Sequence, residues 1–187
     1  MSLRDAVLVA LLEGESSGYD LAKAFDASVA DFWMATPQQL YRELERLAEQ
    51  GLIESRVVHQ ERRPNKRMYS LTESGRDAIR KFTAKPAKPC VIRDELLVKV
   101  QAADAGDTQA VRESILERRQ WATAKLERYE RLRGRLLDGR TEQQFFAQAD
   151  RVGPYLTLLR GIAFEQENIR WAEHALTVIE RRLPAQA

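Results

Sequence analysis

The chain has 187 residues, of which 44% are hydrophobic and 31% charged, with a formal net charge of +2 and a single cysteine. That length holds one domain or two small ones, and the composition is that of a folded, helix-leaning protein. The longest apolar run, Ala6 to Leu12, is too short to span a bilayer and is flanked by Asp5 and Glu13, against a cleaved leader; lone Cys90 excludes an internal disulfide, and a reducing cytoplasm is the expected compartment.

The small net charge hides an uneven distribution. Residues 1–31 carry Arg4 and Lys23 against Asp5, Glu13, Glu15, Asp20, Asp26 and Asp31, a local net charge of −4. The stretch Arg56 to Arg67 carries Arg56, Arg62, Arg63, Lys66 and Arg67 against Glu61, a local net charge of +4. Positive charge is therefore concentrated on one short segment, the pattern expected of a surface that meets something negative.

Residues 3–12 place Leu3, Val7, Ala10 and Leu11 on one helical face. Glu13-Gly14-Glu15-Ser16 breaks that pattern, and Ser17 is positioned to cap a second helix with Leu21, Ala24 and Phe25 as its buried stripe. After Phe32-Trp33 comes Thr36-Pro37-Gln38-Gln39, which combines a capping threonine, proline at the first helical position and glutamine three residues after the cap. The helix it starts turns Leu40, Leu44, Leu47 and Ala48 inward and ends at Gly51. Leu52–Gln60 and Lys66–Leu71 then read as paired strands joined by a turn at Pro64-Asn65. On the second strand Tyr69 and Leu71 share one face, while Lys66, Met68 and Ser70 take the other. Thr72 caps a further helix with Ile79 and Phe82 facing in.

Helix, helix, capped helix, hairpin, helix is the order of a winged helix-turn-helix, expected over residues 1–84 with a small two-stranded wing. The proline-bracketed segment 85–90 reads as a linker. Residues 91–187 read as an α-helical, coiled-coil-like dimerisation domain, so the fold class is mainly α. It opens with a short apolar helix, Asp94 to Val100. A long helix over Thr108–Leu137 follows, with Val111, Ile115, Ala122, Leu126, Tyr129 and Leu136 on one seam, and ends at Gly139. Thr141 to Gln144 is a second capping box, opening a helix with Phe145 and Phe146, and Gly153-Pro154 restarts the chain. In the last helix, 154–183, Tyr155, Ile162, Ile169, Leu176 and Leu183 recur every seven residues, with Leu158, Ala172 and Ile179 between them. A sustained seven-residue repeat belongs to a helix packed lengthwise on other helices, here through Tyr155, Leu158, Ile162, Ile169, Leu176 and Ile179.

The third helix would be the recognition helix. Its polar face carries Gln38, Gln39, Arg42, Glu43 and Arg46, and glutamine and arginine can bond adenine and guanine edges bidentately. Tyr41 sits beside the apolar stripe with its hydroxyl in reach of a phosphate, and Thr36, Ser17 and Tyr19 lie at helix starts, where free N–H groups suit phosphate oxygens. Arg62, Arg63, Lys66 and Arg67 of the wing are candidates for phosphate or minor-groove contact. The aromatic residues of the second half (Trp121, Tyr129, Phe145, Phe146, Tyr155, Phe164, Trp171) serve as core or interface, or alternatively line an effector pocket. His59, His174 and Cys90 have no metal-ligand spacing, no metal or other cofactor is expected, and no catalytic constellation stands out.

Three stretches, AVLVALLEGESSGYDLAKAFD, FWMATPQQLYRELERLAEQGLIES and RRPNKRMYSLTESG, closely resemble the PadR family of bacterial transcriptional regulators. The segment LRGIAFEQENIRWAEHAL is similar to the C-terminal helical domain of its larger, virulence-activator-like members. The resemblance implies a homodimer held by C-terminal helices, with Tyr155, Leu158, Ile162, Ile169, Leu176 and Ile179 as its expected contacts, gripping a pseudo-palindromic double-stranded DNA operator. It also implies frequent repression, activation by some members of this subgroup, and release from DNA on binding phenolic or hydrophobic effectors in some cases. One departure is Arg42, which follows Tyr41 where many relatives have proline, adding a candidate base or phosphate contact. Two other readings stay open from the residues alone: a helical interaction protein whose winged helix meets another protein, and a small-molecule sensor.

Overall fold

The computed structural model of the chain describes residues 3–28, 35–59, 65–87, 89 and 92–182. The expected features at Phe32-Trp33, the wing tip with Arg62, Arg63 and Pro64, Cys90 and Leu183 lie outside the described residues, as do the side chains of Ala24 and Phe25. The chain divides into two units between Pro89 and Cys90.

The first unit runs α1 (Leu3–Ala10), a 3-10 turn (Leu11–Glu13), β1 (Ser16–Ser17), α2 (Gly18–Ser28), α3 (Pro37–Glu49), β2 (Ile53–Val58), β3 (Lys66–Leu71) and α4 (Glu73–Thr83). Its core gathers Val7, Leu8, Leu11, Leu21, Leu40, Leu44, Leu47, Ile53, Tyr69 and Leu71. Apolar residues three and four apart on α3 face that core, and truncating fully buried Leu44 to alanine would cost about 2–5 kcal/mol. The helix starts are built as their sequences require. Thr36 accepts from the Gln39 N–H while the Gln39 side chain accepts from the Thr36 N–H, closing a capping box ahead of Pro37. Thr72 caps α4 by accepting from the Gly75 N–H. Beyond α3, Gly51 takes φ +68°, the left-handed turn that lets the chain reverse into β2.

The sheet differs from the expected two-stranded wing. β2 and β3 pair antiparallel, Ile53 opposite Leu71 and Val58 opposite Lys66. A third strand, β1, adds to the free edge of β3 with Ser16 opposite Tyr69, giving the order β1-β3-β2. Two residues carry no readable alternation, so this strand exists only because tertiary packing brings the start of α2 beside the wing.

The second unit contains α5 (Glu95–Gln101), α6 (Thr108–Leu137), α7 (Glu142–Gln148) and α8 (Gly153–Glu180). Asp94 caps α5 and holds Arg118 of α6 through two hydrogen bonds of 2.8 and 3.0 Å. α6 and α8 run antiparallel: Val111 and Ile115 pack with Ala172, Leu176 and Ile179 near one end, and Tyr129 packs with Leu158 and Ile162 toward the other. At the α6–α7–α8 corner the buried Tyr155 hydroxyl donates to Glu142 at 2.7 Å and accepts from Arg133 at 3.2 Å. Phe145 and Phe146 flank the Tyr155 ring.

The heptad seam packs within the chain itself. Tyr155, Leu158, Ile162, Leu176 and Ile179 are buried in the single chain, Ile169 half-buried, because the long helix α6 folds back over them. Within one chain the seam is thus covered largely by α6. Its remaining intervening position is Glu165, only 4% exposed, whose carboxylate pairs with Lys125 at 3.0 Å and accepts from Asn168 at 2.8 Å. Among the described residues no helix is long and apolar enough to cross a membrane.

Candidate nucleic-acid interface

The capping box and proline set the first turn of α3, and its outward face then presents Gln38, Arg42 and Arg46 to solvent. Gln38 and Arg42 have no ion-pair or hydrogen-bond partner among the described residues, so their donors are available to base edges. Arg46 pairs loosely with Glu43 at 3.6 Å. Glu43 itself is mostly covered, its side chain 13% exposed, and belongs to the underside of the helix more than to the reading face. Gln39 is exposed, but its carbonyl is engaged by the Thr36 N–H, leaving only its amide donors for an external partner. The Thr36 hydroxyl is likewise committed to the cap.

Tyr41 is 43% exposed and leans on the start of α2. A Cβ on Gly18 would lie 2.3 Å from Tyr41 Cε1, so only glycine there lets the ring come this close to the α2 backbone. Gly18 thus lets α3 approach the start of α2 closely. Tyr19, next to it, is 70% exposed. Ser17 takes the capping place expected of it: it is 3% exposed, its hydroxyl accepts from the Asp20 N–H at 3.0 Å and donates to the Asp20 carboxylate at 2.8 Å. Its side chain is committed to capping α2.

On the wing, register places Arg56, Met68 and Lys66 on one face of the β2–β3 pair and Val57 and Arg67 on the other. Arg67 is exposed and has no partner among the described residues. Lys66 and Arg56 are both engaged. Lys66 Nζ donates to Asp20 at 2.5 Å. Arg56 Nε and one terminal nitrogen donate to the two carboxylate oxygens of Glu15, each at 2.6 Å. The Lys66 ammonium, followed by the Ser17 hydroxyl, holds the Asp20 carboxyl below its ordinary range, and the Arg56 guanidinium does the same for Glu15. The acidic N-terminal segment and the basic wing, separate features in the sequence, therefore meet at the wing's root. Glu15 and Asp20 are the interface residues that sequence reading missed; their only signal was the negative charge of their segment.

Comparison with known proteins identifies the assembly of these parts. The PadR-like transcriptional regulator family matches residues 7–81, and the C-terminal domain of virulence activator α matches residues 92–180. A probable transcriptional regulator of Mycobacterium tuberculosis, Rv1176c, is 30% identical over 97% of this chain and all of its own length. The chain belongs to the PadR-like family of transcriptional regulators. Within that family its fold is close to a Bacillus subtilis PadR structure solved in complex with operator DNA (27% identity, TM-score 0.76, covering 95% of this chain and 98% of that one). It is also close to the Vibrio cholerae virulence activator AphA (28% identity, TM-score 0.69, 97% and 100%). Bacillus subtilis PadR has also been solved with p-coumaric acid (27% identity, TM-score 0.71, 95% of each chain). A transcriptional regulator, and not an enzyme, is the class to which all these relatives belong.

Proposed function

We propose that this PadR-like regulator is a cytoplasmic homodimer that binds a pseudo-palindromic operator and represses the genes beside it. The observation that carries the reading is the capped helix α3, with Gln38 and Arg42 unpartnered on its outer face, next to a hairpin bearing exposed Arg67. α3 enters the major groove, where Gln38, Arg42 and Arg46 meet base edges. Tyr41, Tyr19 and the wing hold the phosphate backbone on either side, and the wing sequence adds the charges of Arg62 and Arg63. Support for operator binding comes from the similar PadR protein solved on its operator.

Because the heptad seam is consumed within the chain, the second copy meets the apolar residues that the C-terminal unit leaves exposed. These include Leu97 and Val98 of α5, Trp121 of α6, and Leu156 and Phe164 of α8. Two subunits so joined set half-sites about one turn of DNA apart. A phenolic or hydrophobic effector that releases the operator fits the p-coumaric acid complex of the similar PadR protein. A gel shift with duplex from immediately upstream of the gene is the test of function. Sequence-selective, salt-sensitive retardation is expected, and equal affinity for a scrambled duplex would overturn the reading. A chain ending at Pro89 is expected to sediment as a monomer and to bind the operator poorly; a truncated form that stays dimeric would remove the C-terminal dimer.

A further inference from the structure

Two of the described wing cations are already neutralised by carboxylates of the same chain: Lys66 by Asp20 and Arg56 by Glu15. Asp20 is the third residue of α2, so its carboxylate lies at a helix end whose free N–H groups and positive dipole suit an anion. The Ser17 hydroxyl holds it there, donating to the carboxylate while accepting from the Asp20 N–H. We propose that Asp20, assisted by Glu15, is a specificity-determining residue that occupies the cations a DNA phosphate would take and so lowers affinity for duplex of any sequence.

The argument rests on the DNA-binding reading of the wing. Non-specific affinity comes almost wholly from cations that release counterions on meeting phosphates. A lysine paired with its own carboxylate has no such counterion to release, and a phosphate must displace Asp20 to reach it. The base-reading side chains Gln38 and Arg42 pair with neither acid, so the sequence-dependent contribution is untouched. Lys66 and Asp20 are both more than a third exposed, and pairs of that kind exchange readily, so the arrangement discriminates against weak complexes without forbidding tight ones.

Fluorescence anisotropy of the full-length protein on a random-sequence duplex, from 50 to 200 mM salt, tests this. Asp20→Asn keeps the side chain's size and an acceptor for Ser17. It is expected to bind more tightly and to steepen the log–log salt slope by about 0.9, roughly a 3.5-fold greater loss across that range. In a Lys66→Gln background the same substitution is expected to do nothing. Unchanged affinity and slope, weaker binding, or an equal gain without Lys66 would each overturn the proposal. Glu15→Gln, acting through Arg56, is expected to shift binding in the same direction and keeps the idea testable should Asp20→Asn not fold. Arg67→Gln separates the two levels. If it leaves the slope unaltered, the wing reading itself fails. If it lowers the slope while both acid variants change nothing, only the specificity inference falls.

Discussion

Replacing Gly18 by alanine should separate stability from recognition. The new Cβ would stand 2.3 Å from Tyr41 Cε1, against an ordinary contact of 3.4–4 Å, so the ring must retreat by more than an ångström. Tyr41 is 43% exposed and can swing into solvent, which spares the core. Alanine is also the better helix former by up to about 1 kcal/mol, so the melting temperature is expected to stay within a few degrees of wild type. Binding is where the cost falls. Moving the Tyr41 hydroxyl off the phosphate proposed for it would forfeit one hydrogen bond to a charged group, about 1.5–3 kcal/mol, which is about a tenfold or greater loss of affinity. Because tyrosine is neutral, no counterion is involved, and the salt slope should not move. Anisotropy on operator duplex at several salt concentrations, beside thermal melts, measures all three quantities. In a Tyr41→Ala background the glycine substitution should have far less effect on binding, since the closest atoms a new Cβ meets belong to Tyr41. Full affinity in the single variant, or the same loss without Tyr41, would refute the coupling of α2 to α3.

Thr36→Ala removes one arm of the α3 capping box and is expected to lower unfolding free energy in urea by about 1 kcal/mol. Tyr155→Phe should cost only about 1 kcal/mol in the same assay, because Arg133 and Glu142 remain bonded to each other at 2.8 Å when the hydroxyl is gone; Tyr155→Ala should cost about 3–5 kcal/mol through the cavity. The Arg118 guanidinium, with the Leu96 N–H, holds the Asp94 carboxyl below its ordinary value of 3.8. A depressed carboxyl contributes stability that is present above that ordinary value and lost as pH falls through the depressed one. Thermal melts against pH should therefore show an acid limb that Asp94→Asn flattens, with the variant already less stable at neutral pH.

The helices and their ends were legible because they depend on neighbours in sequence. Thr36-Pro37-Gln38-Gln39, Thr72 and the Thr141 capping box state their hydrogen bonds locally, and each forms as read. The long helix Thr108–Leu137 and the strand Lys66–Leu71 also fall where periodicity places them. β1 was not legible, since two serines become a strand only when β3 lies beside them. The heptad of α8 announced lengthwise packing but not its partner. A seven-residue repeat specifies an apolar seam, and whether that seam meets another chain or its own α6 is decided by the turn and short helix that fold α8 back.

By itself, then, the order of apolar, capping and turn residues determined a winged helix followed by a helical unit, and put glutamine and arginine on the outer face of α3. Only the tertiary structure decided which wing charges are free. Glu15 and Arg56 are 41 residues apart and Asp20 and Lys66 are 46 apart, yet each pair lies within hydrogen-bonding distance. Charge counted along a chain adds without regard to distance, whereas Coulomb attraction acts through space, so a segment that reads as strongly basic keeps only the cations its fold leaves unpaired.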